Sequence, residues 1–401
     1  MGISLGLVGL GSFGNCFAPL FKSHPLVDRI ALCDQEPERL KFWADKPAFR
    51  DKFNPKDAFT EFDDILKSDI QALVIITQHW LHAPMSVKAM QAGKHVYCAV
   101  PLITVPDADE ILGWCDQVVR TTQKTGQLFM FGETTYYRPQ TMYCRRRAAQ
   151  GAFGDFVYAE GEYFHDVDHG LRQVWANRLG SKSGRAHAKE LEAYDKRGII
   201  SGPMHYPTHS TGGPISVMNA HAVKVSALPF AARLHKDHCE DEPSNETGLY
   251  LMSNGAHMRI CEYREIGHPG REIFRLYGNQ GSFENNTWCD KKGVTPVTES
   301  DMRDPLPPEV VRAFQGWRKI ASPDPSKLSA KELEDFLGGH GGSHSYLVHE
   351  FVSAVAEERT PACTAWDAAH FTAAGAVAHK SALKGGVMLD VPHWEGAPKR
   401  R

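Results

Sequence analysis

Short apolar runs alternate with amphipathic, helix-spaced stretches through the first third of the chain, and this alternation predicts strands and helices in βαβ order. Residues 3–8 form the first run, which feeds directly into Gly9-Leu10-Gly11-Ser12-Phe13-Gly14, and residues 13–22 read as a helix. Further runs at 29–33, 72–76, 95–98 and 127–131 predict parallel strands, with helices at 36–46, 63–67, 84–92 and 106–124 between them. Residues 49–62 are irregular and charged, and no element is expected there. Near residue 135 the pattern changes. Residues 139–150 read as a helix, and 156–165 alternate with period two, so Tyr163 and His165 share a face. Residues 172–197 are polar and glycine-interrupted, which reads as a long loop. Alternating runs at 223–228, 246–252, 257–265 and 271–278 predict strands, and 281–284 follows a turn. Residues 288–327 are rich in Pro and charge and are expected to wind over the surface. Helices are expected at 346–357 and 365–383, the second alanine-rich and packing back on the first domain.

The glycine turn adds chemistry to this pattern. Gly9 allows the tight turn, Gly11 leaves room for a pyrophosphate, and Gly14 lets helix approach strand, while the helix N-terminus offers free N–H groups to the phosphates. Asp34 ends the second run, about 20 residues past Gly14, where a ribose-binding carboxylate belongs. A carboxylate there repels a 2′-phosphate, so NAD is expected rather than NADP. Loops at the carboxyl ends of parallel strands form the ligand crevice. The expected cofactor contacts are therefore Gly9, Gly11, Ser12, Phe13, Gly14, Asp34, Thr77, His79, His82, Val100 and Pro101.

Composition narrows the setting. A chain of 401 residues, 42% apolar and 23% charged, suits two globular domains. A net charge of −3 gives no general attraction to nucleic acid, and the basic clusters Arg145-Arg146-Arg147 and Lys399-Arg400-Arg401 read as a solvated face and a tail. No apolar stretch approaches a membrane span, and Met1-Gly2 runs straight into the first strand with no signal-peptide pattern. Nine cysteines without a C-x-x-C pair argue against a disulfide framework and a zinc finger. A cytoplasmic protein with reduced thiols is expected.

The strings "CDQEPER", "TQHWLHAPMSVKAMQAGKHVYCAVP" and "GAFGDFVYAEGEYFHD", following the glycine motif in this order, resemble the Gfo/Idh/MocA oxidoreductase family over nearly the whole chain. The resemblance implies an α/β fold. An N-terminal Rossmann domain, a doubly wound parallel sheet, is expected over 1–135. A C-terminal α/β domain with an open, mainly antiparallel sheet is expected over 136–401. The nicotinamide and a sugar-like substrate would lie between them. A homo-oligomer, dimer or tetramer, is expected through the open sheet, whose outer face is read as apolar enough to bury. One departure matters: most dehydrogenases of the family carry Glu-Lys-Pro where this chain has Ala99-Val100-Pro101, and Val100 can neither donate nor accept a proton.

Family dehydrogenases also carry an Asp and, four residues on, a His; here the corresponding pair is His205 and His209. Tyr206-Pro207-Thr208-His209 and Tyr163-Phe164-His165 instead resemble the NAD-dependent glycosidase branch, glycoside hydrolase family 109. That branch also lacks the lysine and uses a Tyr-x-His and a Tyr-x-x-His pair. It oxidises a sugar hydroxyl, eliminates the glycosidic oxygen, adds water and returns the hydride. Each step moves a proton, and His is the side chain best suited to do so near neutrality. The expected roles give His209 the alcohol oxygen with Tyr206 assisting, and give Tyr163 and His165 the C–H proton or leaving group. These roles can be exchanged between the pairs. Glu133, His169, Arg172, His340 and His344 are candidate substrate contacts, although the glycine-rich 338–344 stretch also suits a capping turn. Arg172, Arg178, Lys182 and Arg185 suggest an anionic sugar. Three rivals stand beside this reading. One is a net sugar or cyclitol dehydrogenase, and another is a nucleotide-binding protein without catalysis. The third is a zinc or manganese site drawn from His165, Asp166, Asp168, His169, His205 and His209, although the family needs no metal and none is expected.

Overall fold

The computed structural model describes residues 2–239, 242–318 and 338–398. The first sheet contains β1 (Ile3–Val8), β2 (Val27–Cys33), β3 (Phe53–Phe59), β4 (Ala72–Ile75), β5 (His95–Ala99) and β6 (Phe129–Gly132), all parallel, in the order β3-β2-β1-β4-β5-β6. Helices cover both faces, so the central strands read as unbroken apolar runs: Leu5, Leu7, Ile30, Leu32, Leu73 and Ile75 are all buried. The strand order reverses between β1 and β4, and a ligand crevice opens at such a switch point.

Strand β3 lies in the segment expected to be irregular. It is an edge strand that pairs only with β2, through an interrupted register. Its centre, Asn54-Pro55-Lys56, is exposed. An edge position tolerates proline and needs no apolar alternation, which explains why the pattern hid it.

The second sheet holds β7 (Phe156–Phe164), β8 (Ala222–Ala231), β9 (Pro243–Met252), β10 (His257–Tyr263), β11 (Arg271–Gly278), β12 (Gly281–Glu284), β13 (Thr287–Asp290), β14 (Gly293–Pro296) and β15 (Leu389–Asp390). Its order is β14-β13-β12-β11-β7-β10-β9-β8-β15, antiparallel except for β7 with β10. Strands β13 and β14 and the helices Glu299–Met302 and Pro308–Arg318 occupy much of the stretch expected to wind over the surface; residues 319–327 lie outside the described residues. The missed signal was Asn285-Asn286, both at positive φ (49° and 55°), a two-residue hairpin turn.

Residues 172–197 are not a loop either. They form the helices Leu171–Leu179 and Lys182–Lys196, and Ser181 caps the second by accepting the Gly184 N–H at 3.0 Å. The first of these helices has no buried residue and the second buries only Gly184 and His187. A helix without an apolar stripe leaves no periodic trace.

One face of the second sheet packs on helices Thr208–Met218 and Ala365–Leu383. A capping box between Thr364 and Asp367 starts the latter helix, which then lies along helix Ala108–Thr125 of the first domain and pairs Lys380 with Asp109. The other face is not the apolar surface expected. It carries a ladder of Arg259, Arg271 and Arg275 against Glu160, Glu162 and Glu284, flanked by exposed Leu228, Leu249 and Leu251. Among the described residues no helix is long and apolar enough to cross a membrane, and the nine cysteines are free thiols.

Gly375 is where the alanine-rich helix touches the site. A Cβ there would lie 2.1 Å from the Met204 carbonyl oxygen and 2.5 Å from Pro207, so only glycine lets the helix support the turn that carries Tyr206. Gly375→Ala should therefore cost about 1–3 kcal/mol of stability by overpacking and reduce turnover as well; urea denaturation and an activity assay of the same preparation check both.

Candidate active site

The glycine turn has the geometry its spacing implied. Gly9 sits at φ +91°, and a Cβ would lie 2.2 Å from the Ile76 carbonyl oxygen. A Cβ on Gly14 would lie 2.1 Å from the Gly9 carbonyl, so helix and strand meet in direct contact. Gly11, by contrast, faces open space, with Arg39 Nη1 the nearest atom at 3.6 Å. Helix Ser12–Ser23 begins there with no side-chain cap, leaving its first N–H groups for an anion. Asp34 is buried and closes the turn: its Oδ2 accepts the Leu10 N–H at 2.7 Å and its Oδ1 the Glu36 N–H at 2.9 Å. Phe13 stands edge-on to His340 and His344, with ring centroids 5.8 and 5.7 Å away.

His82 ties two crevice loops together. Its Nδ1 lies 2.7 Å from the Pro101 carbonyl oxygen and its Nε2 3.2 Å from that of Thr77. Burial pushes its pKa down to about 4, so the ring is neutral and one nitrogen donates at a time. Val100 is buried beside these loops and its peptide bond to Pro101 is cis. His79 reaches further in, its ring 5.3 Å from that of Tyr206, and burial drives its pKa well down.

Four side chains then converge. Glu133 leaves β6 as the cap of a 3-10 turn, Thr134–Tyr137, and its Oε1 accepts both the N–H and the hydroxyl of Thr135 at 2.9 Å. The same oxygen meets His209 Nδ1 at 3.0 Å. His209 stands in the first turn of helix Thr208–Met218, and its Nε2 meets the Tyr206 hydroxyl at 3.0 Å. Tyr163, on the helix-facing side of β7, places its ring 5.0 Å from His209 and 6.2 Å from Tyr206. Its hydroxyl lies 2.8 Å from His165 Nδ1, where the strand ends. The arrangement is two Tyr–His pairs facing each other, one of them backed by a carboxylate.

The electrostatics differ between the pairs. The side chains of His209 and Glu133 are only 4% and 0% exposed. Burial opposes charge on both, yet Glu133 and Glu272 outweigh it and raise the His209 pKa. His209 and local hydrogen bonds hold the Glu133 carboxyl at about 2 against the same burial. His165 has no such partner, and burial followed by the nearby Arg264 charge lowers it to about 4. Burial raises both Tyr163 and Tyr206, so neither ionises near neutrality.

Other expected residues fall elsewhere. His205 is buried but turned away, with Nδ1 at 3.3 Å from Ser201 Oγ and its ring 4.4 Å from that of His379, which binds Glu246 at 2.7 Å. Exposed His169 pairs with the buried Asp166, and Arg172 pairs with Asp168 and Asp237 at the surface. His340 does join the site, 6.0 Å from His209 by ring centroids, held at φ +57° with its Nδ1 3.1 Å from His344 Nε2. Burial lowers the His340 pKa to about 4. His344 lies deeper, its ring 4.2 Å from that of Phe17.

The six residues weighed as a metal set do not converge. Among the described residues, only His221, His370 and His393, or His209, Glu272 and His340, bring three ligating atoms within 4.8 Å of one another. In the second group both His209 nitrogens are already engaged. Two site residues escaped sequence reasoning: Arg138 and its ion-pair partner Glu272 on β11. A glutamate at an inward position of an alternating strand was the available signal for Glu272.

A glycine-turn βαβ sheet, a crevice at its switch point and a second sheet carrying acid–base groups define an NAD-binding oxidoreductase fold. Residues 3–132 match the model of the Gfo/Idh/MocA oxidoreductase family, an NAD-binding Rossmann fold. Over 97% of its length the chain is 24% identical to a glycosyl hydrolase family 109 protein of Solibacter usitatus, covering 87% of that protein. It is 23% identical to an alpha-N-acetylgalactosaminidase of Tannerella forsythia, over 83% of this chain and 72% of the other. Among solved structures, myo-inositol 2-dehydrogenase from Lactobacillus plantarum superposes with a TM-score of 0.67 at 18% identity, covering 98% of this chain and all of that one. Scyllo-inositol dehydrogenase from Lactobacillus casei, with bound NAD(H) and scyllo-inositol, gives 0.64 at 16%, over 97% and 99%.

The buried pair makes stability depend on pH. The Glu133 contribution is present above its unfolded value near 4.5 and lost as pH falls towards 2. The His209 contribution is full below 6.5 and lost as pH rises through its raised folded value. Glu133→Gln should therefore lose most stability relative to the parent between these limits, at about pH 5.5, and least once pH has risen past the raised His209 value. Urea midpoints across pH check this, and an equal loss at every pH would contradict the ion pair. Separately, Asp34→Ala should weaken NAD binding and narrow the preference for NAD over NADP, as read by fluorescence titration with each.

Proposed function

We propose that this protein cleaves a glycoside by transient oxidation of a sugar hydroxyl, elimination of the glycosidic oxygen, addition of water and re-reduction. The observation that carries the reading is the presence of two separate hydrogen-bonded groups side by side, Tyr206–His209–Glu133 and Tyr163–His165, with the Tyr163 ring 5.0 Å from that of His209. A simple dehydrogenation moves one hydroxyl proton and needs one path. Elimination also needs a group to take the proton from the neighbouring carbon and return one to the leaving oxygen.

The open space at Gly11 and the uncapped start of helix Ser12–Ser23 suit the pyrophosphate of NAD, which would supply a hydride acceptor and later a hydride donor when bound. The chain supplies the proton handling. Tyr206 does not ionise, so it acts as a relay when His209 is in its neutral form: as it accepts the substrate proton, its own passes to His209 Nε2. Glu133 holds the opposite nitrogen as N–H and stabilises the imidazolium that forms. His165 is neutral near pH 7 and takes a proton through Tyr163 in the same way. The assignment of the first path to the alcohol oxygen rests on its carboxylate, because a carboxylate favours the protonated histidine that oxidation produces. Val100 supports the reading: with no lysine in the crevice, proton transfer falls to the two pairs. The relatives named for glycosidase activity, similar over most of the chain, support it as well.

The test combines aglycone release, absorbance at 340 nm and exchange from heavy water over a panel of aryl glycosides. Aglycone release without net NADH is expected, and the product sugar should carry deuterium at the carbon next to the oxidised one. Stoichiometric NADH without exchange would instead establish a net sugar or cyclitol dehydrogenase. His209→Ala should lower kcat by about 100-fold or more, the usual contribution of a general acid–base group; unchanged turnover would remove it from the mechanism.

A further inference from the structure

Arg178 stands apart from the other cations around the cleft. It closes helix Leu171–Leu179, and its Nη1 donates to Gln78 Oε1 at 3.1 Å. Gln78 is itself held, since its Nε2 donates to Ser181 Oγ at 3.2 Å, and that hydroxyl donates to the Arg178 carbonyl at 2.7 Å. The guanidinium is thus fixed by a neutral amide on the loop after β4. Gln78 adjoins His79, whose ring lies 5.3 Å from that of Tyr206, so the guanidinium is anchored next to the loop residue that meets the tyrosine.

Its neighbours among the arginines are neutralised. Arg138 pairs with Glu272, Arg264 with Glu262 at 2.8 Å, and Arg172 with Asp237 at 2.8 Å. Arg185 is exposed and donates to the Gly180 carbonyl at 2.6 Å. Among the described residues, no carboxylate lies within ion-pair distance of Arg178. Arg178 is half-buried, and the loss of water around it lowers its pKa. Holding an unpaired charge in such a place costs free energy, and the cost falls when an anion arrives. The pyrophosphate end of the dinucleotide site lies at Gly9–Gly14, whereas Arg178 is anchored on the loop whose His79 meets Tyr206.

We propose that Arg178 is the anion-binding residue of the substrate cleft, so that the sugar taken there carries a carboxylate, sulfonate or phosphate. The inference rests on the reading of this cleft as a sugar site, but its test does not require turnover. Calorimetric titration of the NAD-loaded protein would compare glucuronate, galacturonate, glucose 6-phosphate and a 6-sulfonated sugar with glucose and galactose. At least one anionic sugar should bind about 10-fold or more tightly than its neutral counterpart. Arg178→Met should abolish that preference while leaving the Kd for NAD unchanged, and Arg178→Lys should keep part of it. Equal binding of charged and neutral sugars by the parent would overturn the proposal. So would an Arg178→Met variant that retains the preference, or one that loses NAD affinity, which would make Arg178 a cofactor residue. If the anion preference holds and no aglycone is released from matched aryl glycosides, the glycoside reading falls and the Arg178 assignment stands.

Discussion

The buried contact between Glu133 and His209 is the constraint on which the cleft depends. Glu133 follows the last strand of the first sheet, and His209 begins the helix that covers the second. One carboxylate oxygen receives the turn's N–H, the Thr135 hydroxyl and the histidine. The fold of the domain junction and the charge state of the His209 imidazole are therefore set by the same atom. Removing either partner would strand a charge in a dry interior, which is far costlier than losing an exposed ion pair.

A second buried His–Glu contact repeats the device. His379, on the alanine-rich helix, binds Glu246 at 2.7 Å, and the other Glu246 oxygen accepts the Met204 N–H at 2.9 Å. The turn carrying Tyr206 is thereby held from below by a polar contact and by the close approach at Gly375. His205, which the spacing placed in the chemistry, belongs to this supporting layer. Its backbone carbonyl and ring brace the turn from the side away from Tyr163.

The parts legible in the sequence were those that physics writes locally. Gly9, Gly14 and Asp34 announce a turn because no other residue satisfies the backbone geometry or the N–H groups there. Buried strands announce themselves as apolar runs. The two Tyr–His pairs were readable because each is close in sequence, three positions apart or two. What stayed hidden had no local trace. Strand β3 is an exposed edge, and the helices over 171–196 have almost no buried face. Glu272 and Arg138 reach the site only through the register of β11 and the start of a distant helix. The open face of the second sheet was misjudged because alternation reveals which residues point outward, not that Arg and Glu from four strands align into a ladder.

The two exposed helices bear on how this molecule can change. They span the domain junction by polar and stacking contacts: Gln78 with Arg178 and Ser181, Trp80 against His187 at 4.0 Å, and Tyr194 with Glu110 at 2.6 Å. None of these residues belongs to either proton path. Because so little of this segment is buried, substitutions there cost folding little, and Arg178 can drift independently of Glu133, Tyr206 and His209. On the proposed assignments, substrate choice and bond-making chemistry would be lodged in separately mutable stretches of one chain, so that descendants could take up new ligands while keeping an old reaction.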